Sequence, residues 1–324
     1  MAAKRTQVIH LDTKDWIELA RGYYGRAPEF QEIAQIVLEK SGSGQAIFPL
    51  SVIHFMETVK NANPDRRQRL AKFVTIVSQG WSILPAPEIF DLEIKNAYLK
   101  WQGRPERDLH TVALRKGVSH MMGAEGTLLD KDPKHPMAEE ERNRILEQLD
   151  GPWGLHKLLD IGFPQSETKR MEEELKETAD RLDKRRQSWQ TIKNKNLRRR
   201  SMMADYLANE IGPRLMPVIS RLTLPLTFMI DTTSSREKIV EFFQSIPTCY
   251  CNAQLTTYQY DMQRTIHPND LHDIMSLSIA IPYSNVVVTE KMWQNAIIQT
   301  KLDKLYGTVV LKSAKHLAPI LDSK

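Results

Sequence analysis

The sequence predicts an α/β fold in which a parallel central sheet is covered by helices and interrupted by a large helical insertion. Three observations carry that expectation. Short apolar runs alternate with helix-period stretches from residue 8 to residue 84. The same alternation returns after residue 265, where 285–289 and 309–311 are isolated β-branched runs. The stretch between, from about 101 to 263, is mainly helix-period and more highly charged. The expected division is an α/β domain made of 1–101 and 264–324, with 102–263 as a mainly helical insertion.

Each element has a local reason. Val8-Ile-His-Leu11 reads as a buried strand ending in the polar turn Asp12-Thr-Lys-Asp15, which feeds a helix from about Trp16. The stretch 28–40 puts Ile33, Ile36 and Val37 on one helix face, and Ser41-Gly-Ser-Gly44 ends it. Residues 46–48 form the next strand, and Ser51 is the N-cap of a helix over 52–60. Asp65 begins another helix, with Leu70, Phe73, Val74 and Val77 as its apolar face, and Ile83 and Leu84 mark a third strand of the sheet.

Within the insertion, 124–137 reads as a loop and 138–149 as a helix stopped by Asp150-Gly-Pro152. Met171, Leu175, Thr178, Leu182, Arg185, Trp189 and Ile192 fall at alternating steps of four and three, a broken heptad stripe on a long helix. A helix through Met203, Leu207 and Ile211 is expected to fold back on it. Ser234 with Glu237 reads as a capping box for the helix carrying Ile239, Phe242 and Phe243. Asn269-Asp270 opens the helix that precedes the 285–289 strand.

Composition bounds the class. With 324 residues, 41% hydrophobic and 26% charged, the chain has the apolar content for about two cores, and collagen-like or wholly disordered readings drop out. No apolar run approaches the roughly 18 residues of a membrane span, and no apolar segment suited to a signal peptide precedes the first strand. A cytoplasmic protein is expected. The only two cysteines, Cys249 and Cys251, are too few for a disulfide framework or a cysteine zinc site and are assigned no chemistry.

The net charge of +5 matters less than its distribution. Between 181 and 200 the chain carries Arg181, Lys184, Arg185, Arg186, Lys193, Lys195, Arg198, Arg199 and Arg200 against Asp183 alone. Such a field suits a phosphate backbone, with Trp189 available for base stacking, although cations on a long helix also serve simply as its solvated face.

Five acids stand at strand ends and helix starts. Asp12 directly follows the first strand, and Glu290 directly follows the 286–289 run. The carboxyl ends of parallel strands open into the crevice where ligands bind. Glu57 is carried about two turns into the helix after Ser51, and Asp270 and Asp273, three apart, share one side of a first helical turn. Each alone also fits a helix cap, a dipole partner or a surface group. Convergent carboxylates repel unless they take up protons or a hard cation. His10, His54, His267 and His272 flank the acids, but no His-Glu-x-x-His spacing exists, and His10 and His54 read as core residues.

Taken in order, Val8-Ile-His-Leu-Asp-Thr13, Leu50-Ser-Val-Ile-His-Phe-Met-Glu57, Asn269-Asp-Leu-His-Asp-Ile274 and Val286-Val-Val-Thr-Glu290 resemble the acidic motifs of PIN-domain nucleases. The resemblance spans roughly 1–101 and 265–324. It implies a three-layer α/β/α domain and an endonuclease hydrolysing single-stranded nucleic acid, chiefly RNA, with Mg²⁺ or Mn²⁺. By position it implies Asp12, Glu57, Asp273 and Glu290 as metal ligands, Asp270 as a ligand or water-orienting group, and Thr13 and Thr289 as positioning hydroxyls. Lys14 departs from the small polar residue common after the first acid, and Glu290 replaces the usual Asp. Two other functions fit the sequence: a non-catalytic nucleic-acid-binding scaffold, and an interaction protein whose heptad stripe takes a helical partner or a second copy.

Overall fold

Neighbours along a strand point to opposite faces, so a strand whose successive residues are all buried is covered on both sides. That holds for Ile9, His10 and Leu11 and again for Val286, Val287 and Val288. In a computed structural model describing residues 6–123, 138–161, 165–262 and 264–322, the chain is an α/β protein, mostly helical, with one four-stranded parallel sheet. The loop expected at 124–137 lies outside the described residues. The strands are β1 (Gln7–Leu11), β2 (Ala46–Ile47), β5 (Val286–Val288) and β6 (Val309–Leu311), in the spatial order β2-β1-β5-β6. Their register pairs Leu11 with Val288 and Val288 with Leu311. Asn285 sets it from the other end: its backbone N–H donates to the Val8 carbonyl, and its side-chain oxygen accepts from the Val8 amide, each at 2.8 Å.

The chain divides into two compact units, Met1–Pro85 with Thr111–Gln165 and Tyr283–Lys324, and Ala86–His110 with Ser166–Pro282. The first holds the sheet. Its helices α1 (Thr13–Tyr23), α2 (Gln31–Gly42), α3 (Val52–Val59) and α4 (Pro64–Ser78) bury Trp16, Leu19, Val37, Phe73 and Val77 in one apolar cluster. The helix Pro152–Ile161 adds Leu155 and Leu159 to that cluster, so part of the expected insertion belongs to the first core. The third strand, expected at Ile83 and Leu84 as a member of the parallel sheet, is Trp81–Ile83 (β3). It pairs instead antiparallel with β4 (Leu114–Lys116) and touches Leu50 through a single parallel bridge. Three residues with two exposed charges give β4 no readable period, which is why the sequence left it inside the helical segment.

Among the described residues, the regular elements of the second unit are all helices. Helix α5 (Ala86–Trp101) buries Ile94 and Ala97 against Ile246, Cys249 and Ala253. This is the physical reason the unit boundary falls before α5 rather than after residue 101: the helix's apolar face completes the second core. The long helix Gln165–Trp189 uses the heptad stripe as its packing seam, with Leu182 buried and Leu175 and Trp189 packed on the same cluster. Trp189 thus serves packing. The N-cap of the helix Arg236–Gln244 is Ser235, which accepts from the Lys238 amide at 3.2 Å, so the cap falls one residue after the expected Ser234 and its third position is Lys238 rather than Glu237. Adjacent serines cap equally well, and local sequence does not choose between them.

One buried carboxylate organises this unit. Glu93, fully buried on α5, accepts from the Thr248 amide at 3.1 and 3.2 Å and from its hydroxyl at 2.6 Å. It thereby caps the helix Pro247–Asp261, whose own N-cap residue Ile246 offers no side chain. Glu93→Ala strands those donors in the core. Chemical denaturation should show a loss of about 2–4 kcal/mol, whereas a loss below about 0.5 kcal/mol would remove Glu93 from that role.

Candidate active site

In the order β2-β1-β5-β6, the chain leaves β1 toward one edge of the sheet and leaves β5 toward the other. The crevice at the carboxyl ends of β1 and β5 is therefore the topological switch point, the position where open α/β sheets bind ligands. Two candidate acids stand there. The ladder continues one residue past each strand, through Asp12 N–H to the Val288 carbonyl at 3.0 Å and Thr289 N–H to the Leu311 carbonyl at 2.9 Å. Asp12 and Thr289-Glu290 are consequently fixed by backbone bonds.

Asp12 is also the N-cap of α1, its carboxylate accepting from the Lys14 amide at 3.3 Å. Glu290 occupies the N-cap of the helix Lys291–Thr300, but its carboxylate makes no capping bond and is exposed. Two helices thus begin at the same edge, presenting the positive ends of their macrodipoles to the crevice. Glu57, half-buried on α3, comes into the electrostatic field of Asp12 from the β2 side.

The charges interact. Burial pushes Asp12 up from an ordinary 3.8 to about 7; the Lys14 hydrogen bond opposes this, and the charges of Asp15, Glu57 and Glu290 add to it. Glu57 and Glu290, two of the acids expected from sequence, are therefore within electrostatic reach of a third, Asp12. Asp15 is a fourth that sequence reading passed over. It is buried, accepts the Ala314 amide at 2.7 Å, and ties the first turn of α1 to the segment after β6. Burial raises its pKa, against the pull of that hydrogen bond. The signal was present: Asp12 and Asp15 have the same three-residue spacing that singled out Asp270 and Asp273.

Asp270 and Asp273 lie in the helical unit, on the helix Pro268–Tyr283. Asp270 is buried with both oxygens engaged. One accepts from Arg264 at 2.5 Å, the other from Gln259 at 2.9 Å and from the His267 amide at 2.8 Å. It anchors the helix start. Asp273 is half-buried and interacts within the protein.

The histidines nearest the crevice are buried in the core, as the sequence reading expects. His10 and His54 have ring centroids 5.0 Å apart, and both are held below the ordinary imidazole range by burial. Cys249 and Cys251 are buried on a helix of the second unit without a disulfide, and burial pushes the Cys249 thiol up.

Most of the basic tract is spent inside the fold. Arg181 and Arg185 both reach Glu210 at 2.7 Å, Arg186 holds Asp183 at 2.7 Å, and Lys195, Arg198 and Arg199 converge on Asp261 at 3.7, 2.7 and 2.7 Å. Burial raises the Asp261 carboxyl, but the two arginine hydrogen bonds outweigh it and leave it low. Lys184, Lys193 and Arg200 are exposed and take part in no such pair among the described residues. Glu210 and Asp261 lie 25 to 63 residues along the chain from the arginines they hold, which local charge counting cannot see.

Among the described residues, no three carboxylate, histidine or cysteine groups are close enough together to enclose a metal ion. None of the helices searched is long and apolar enough to cross a membrane. No family model, curated protein or solved structure matches the chain.

Asp12→Asn separates capping from repulsion, since asparagine caps as well as aspartate. The folded protein holds an extra proton on Asp12 between 3.8 and about 7, so the stability present in acid is lost as pH rises through about 7. The variant should be more stable than wild type by about 1–3 kcal/mol at pH 8 and lose that advantage at pH 4. Denaturant titrations at both pH values check this, and equal stability at pH 8 would make Asp12 an ordinary cap.

Proposed function

We propose that the protein is a divalent-cation-dependent nuclease of PIN-like architecture, acting on single-stranded nucleic acid with RNA as the expected substrate. The observation that carries this reading is the cluster of Asp12, Asp15, Glu57 and Glu290 charges at the switch point of a parallel sheet, with Asp12 raised to about 7. A protein gains nothing in stability from such a cluster. Oxygen-only donors of this kind suit Mg²⁺ or Mn²⁺, and an open set fits Mg²⁺, which keeps several of its waters and uses one or two carboxylates. When bound, such an ion lowers the pKa of a water and neutralises charge on a departing phosphodiester oxygen.

The chain's own groups supply the rest. Asp12 and Glu57 would hold the cation, Asp12 giving up its proton as it does so. Glu290, unused as a cap, supplies a longer, exposed carboxylate at the rim. The helix starts at Thr13 and Lys291 place amide dipoles where the anionic backbone of a substrate would lie. Thr289, buried and fixed to Leu311, sets the floor between the acids. Asp273 enters the reading through the motif resemblance alone. The cations of the 181–200 tract carry little of it, since Arg181, Arg185, Arg186, Lys195, Arg198 and Arg199 have carboxylate partners of their own.

End-labelled single-stranded RNA and DNA incubated with protein and Mn²⁺ should yield products that vanish with chelator. Asp12→Ala and Glu57→Ala should each cut at least about 100-fold more slowly while melting no lower than wild type. Cleavage that survives chelation, or that both variants retain, would refute the proposal. Asp273→Ala in the same assay tests the resemblance at that position.

A further inference from the structure

Three lysines share the sheet edge of the acids and have no task in the fold. The register of Leu11 with Val288 and of Val288 with Leu311 levels the carboxyl ends of β1, β5 and β6, neighbouring strands about 4.8 Å apart. Lys312 is the first residue past β6, Lys291 the third past β5, and Lys14 the third past β1. All three are exposed, and among the described residues none of their ammonium groups forms a salt bridge. Lys315, further along the same segment, is engaged: its Nζ lies 4.5 Å from the centre of the Phe30 ring.

Helix energetics oppose this placement. Lys14 stands in the first turn of α1 and Lys291 opens the helix Lys291–Thr300, where the macrodipole is already positive and a further cation is unfavourable. No acid in the first turn of that second helix offsets Lys291. In the first turn of α1 the acid is Asp15, which is buried and spent on the Ala314 amide. An anion reverses the sign, because helix amides and ammonium groups then act together. Lysine suits such a ligand: a point charge on a flexible stem takes a phosphate from many directions. Among Asp12, Glu57 and Glu290, only Glu290 is exposed as the lysines are, so cations outnumber that group's carboxylates at the outer surface. We propose that Lys14, Lys291 and Lys312 form a phosphate track along this edge, holding the backbone of single-stranded nucleic acid by its charge and without regard to its bases. The choice of nucleic acid rests on the nuclease reading above, whereas the track itself needs no bound cation. It also gives a use to Lys14, the residue that departs from the motif resemblance.

The test is binding in excess chelator, where metal-dependent cleavage does not compete. Fluorescence anisotropy of a labelled oligouridine at several NaCl concentrations gives Kd and its salt dependence. On a single strand, each phosphate neutralised contributes about 0.7 to the slope of log affinity against log salt. The variant K14Q/K291Q/K312Q should bind at least about 10-fold more weakly at low salt, with a slope shallower by about 2 and the melting temperature of wild type. Each single substitution should remove about 0.7, which carries the test if the triple variant melts lower. K184Q/K193Q/R200Q, lacking the exposed cations of the 181–200 tract, should keep the wild-type slope. Wild-type protein that binds no oligouridine, an unchanged slope in the first set, or a loss confined to the second overturns the track; Mn²⁺-dependent cleavage would leave the nuclease reading standing in each case. Binding that follows the three lysines in a wild type that cuts nothing keeps the track and overturns the nuclease.

Discussion

The pairing of β1 with β5 is the constraint on which the site depends. It joins Val8 to Asn285 across 277 residues, and its parallel register aligns the two strand ends so that the next residues are Asp12 and Thr289. A one-residue slip would move each buried side chain to the opposite face of the sheet and shift Asp12 out of step with Glu290. The Asn285 side chain, taking the Val8 amide at the far end of the ladder, opposes such a slip. Closing so long a connection would cost about 5 kcal/mol of entropy were it flexible. The fully buried Val287, Val288, Ile9 and Leu11 side chains, each worth about 1.5–3 kcal/mol, make the pairing favourable.

That fixed geometry sets up an electrostatic conflict. Asp12 is well placed as a cap, next to positive dipole and a backbone donor, and an isolated carboxylate there would be held low. Burial and three neighbouring acids reverse the outcome. The comparison with Asp261 is instructive: that carboxylate is also pulled upward by burial, yet arginines bring it down. Asp261 in the helical unit is given cations; Asp12 in the sheet unit is given acidic neighbours. Asp15 shows the intermediate case, a buried carboxylate held by the Ala314 amide. A folding requirement explains Asp15 and Asp261, but it does not explain why Glu57 and Glu290 share the field of Asp12.

Sequence periodicity was sufficient where an element's own residues determine its burial. The apolar runs at β1, β5 and β6, the Ser51 cap and the buried face of α4 are local features, and the structure has them at the expected places. Periodicity failed where a partner decides. Trp81–Ile83 reads as any short strand, and only Leu114–Lys116 makes it antiparallel. Helix α5 reads as the end of the first domain, and only Ile246 and Cys249 draw it into the second core. Strand-end position singled out Asp12 and Glu290, and position on the helix after Ser51 singled out Glu57; the structure puts the three in one electrostatic field. Asp15 went unnoticed because the turn that contains it already had an acid to explain it.

The basic tract makes the same point about charge. Nine cations against one acid between 181 and 200 look like a surface waiting for phosphate. In the fold, Asp205, Glu210 and Asp261 come from later helices to meet them. The charge of an arginine paired with a carboxylate at 2.7 Å is largely offset there, so it adds little to the net attraction for a phosphate. An excess of one sign is evidence of a ligand only after the protein's own opposite charges have been assigned. Assigned in that way, the tract keeps only Lys184, Lys193 and Arg200 as exposed cations outside such pairs among the described residues, and the acids around Asp12 form a separate field at the ends of β1 and β5. In the proposed reading a cation would relieve the repulsion of that field, and the anionic backbone of a nucleic acid would approach through the cation and the two helix starts beside it.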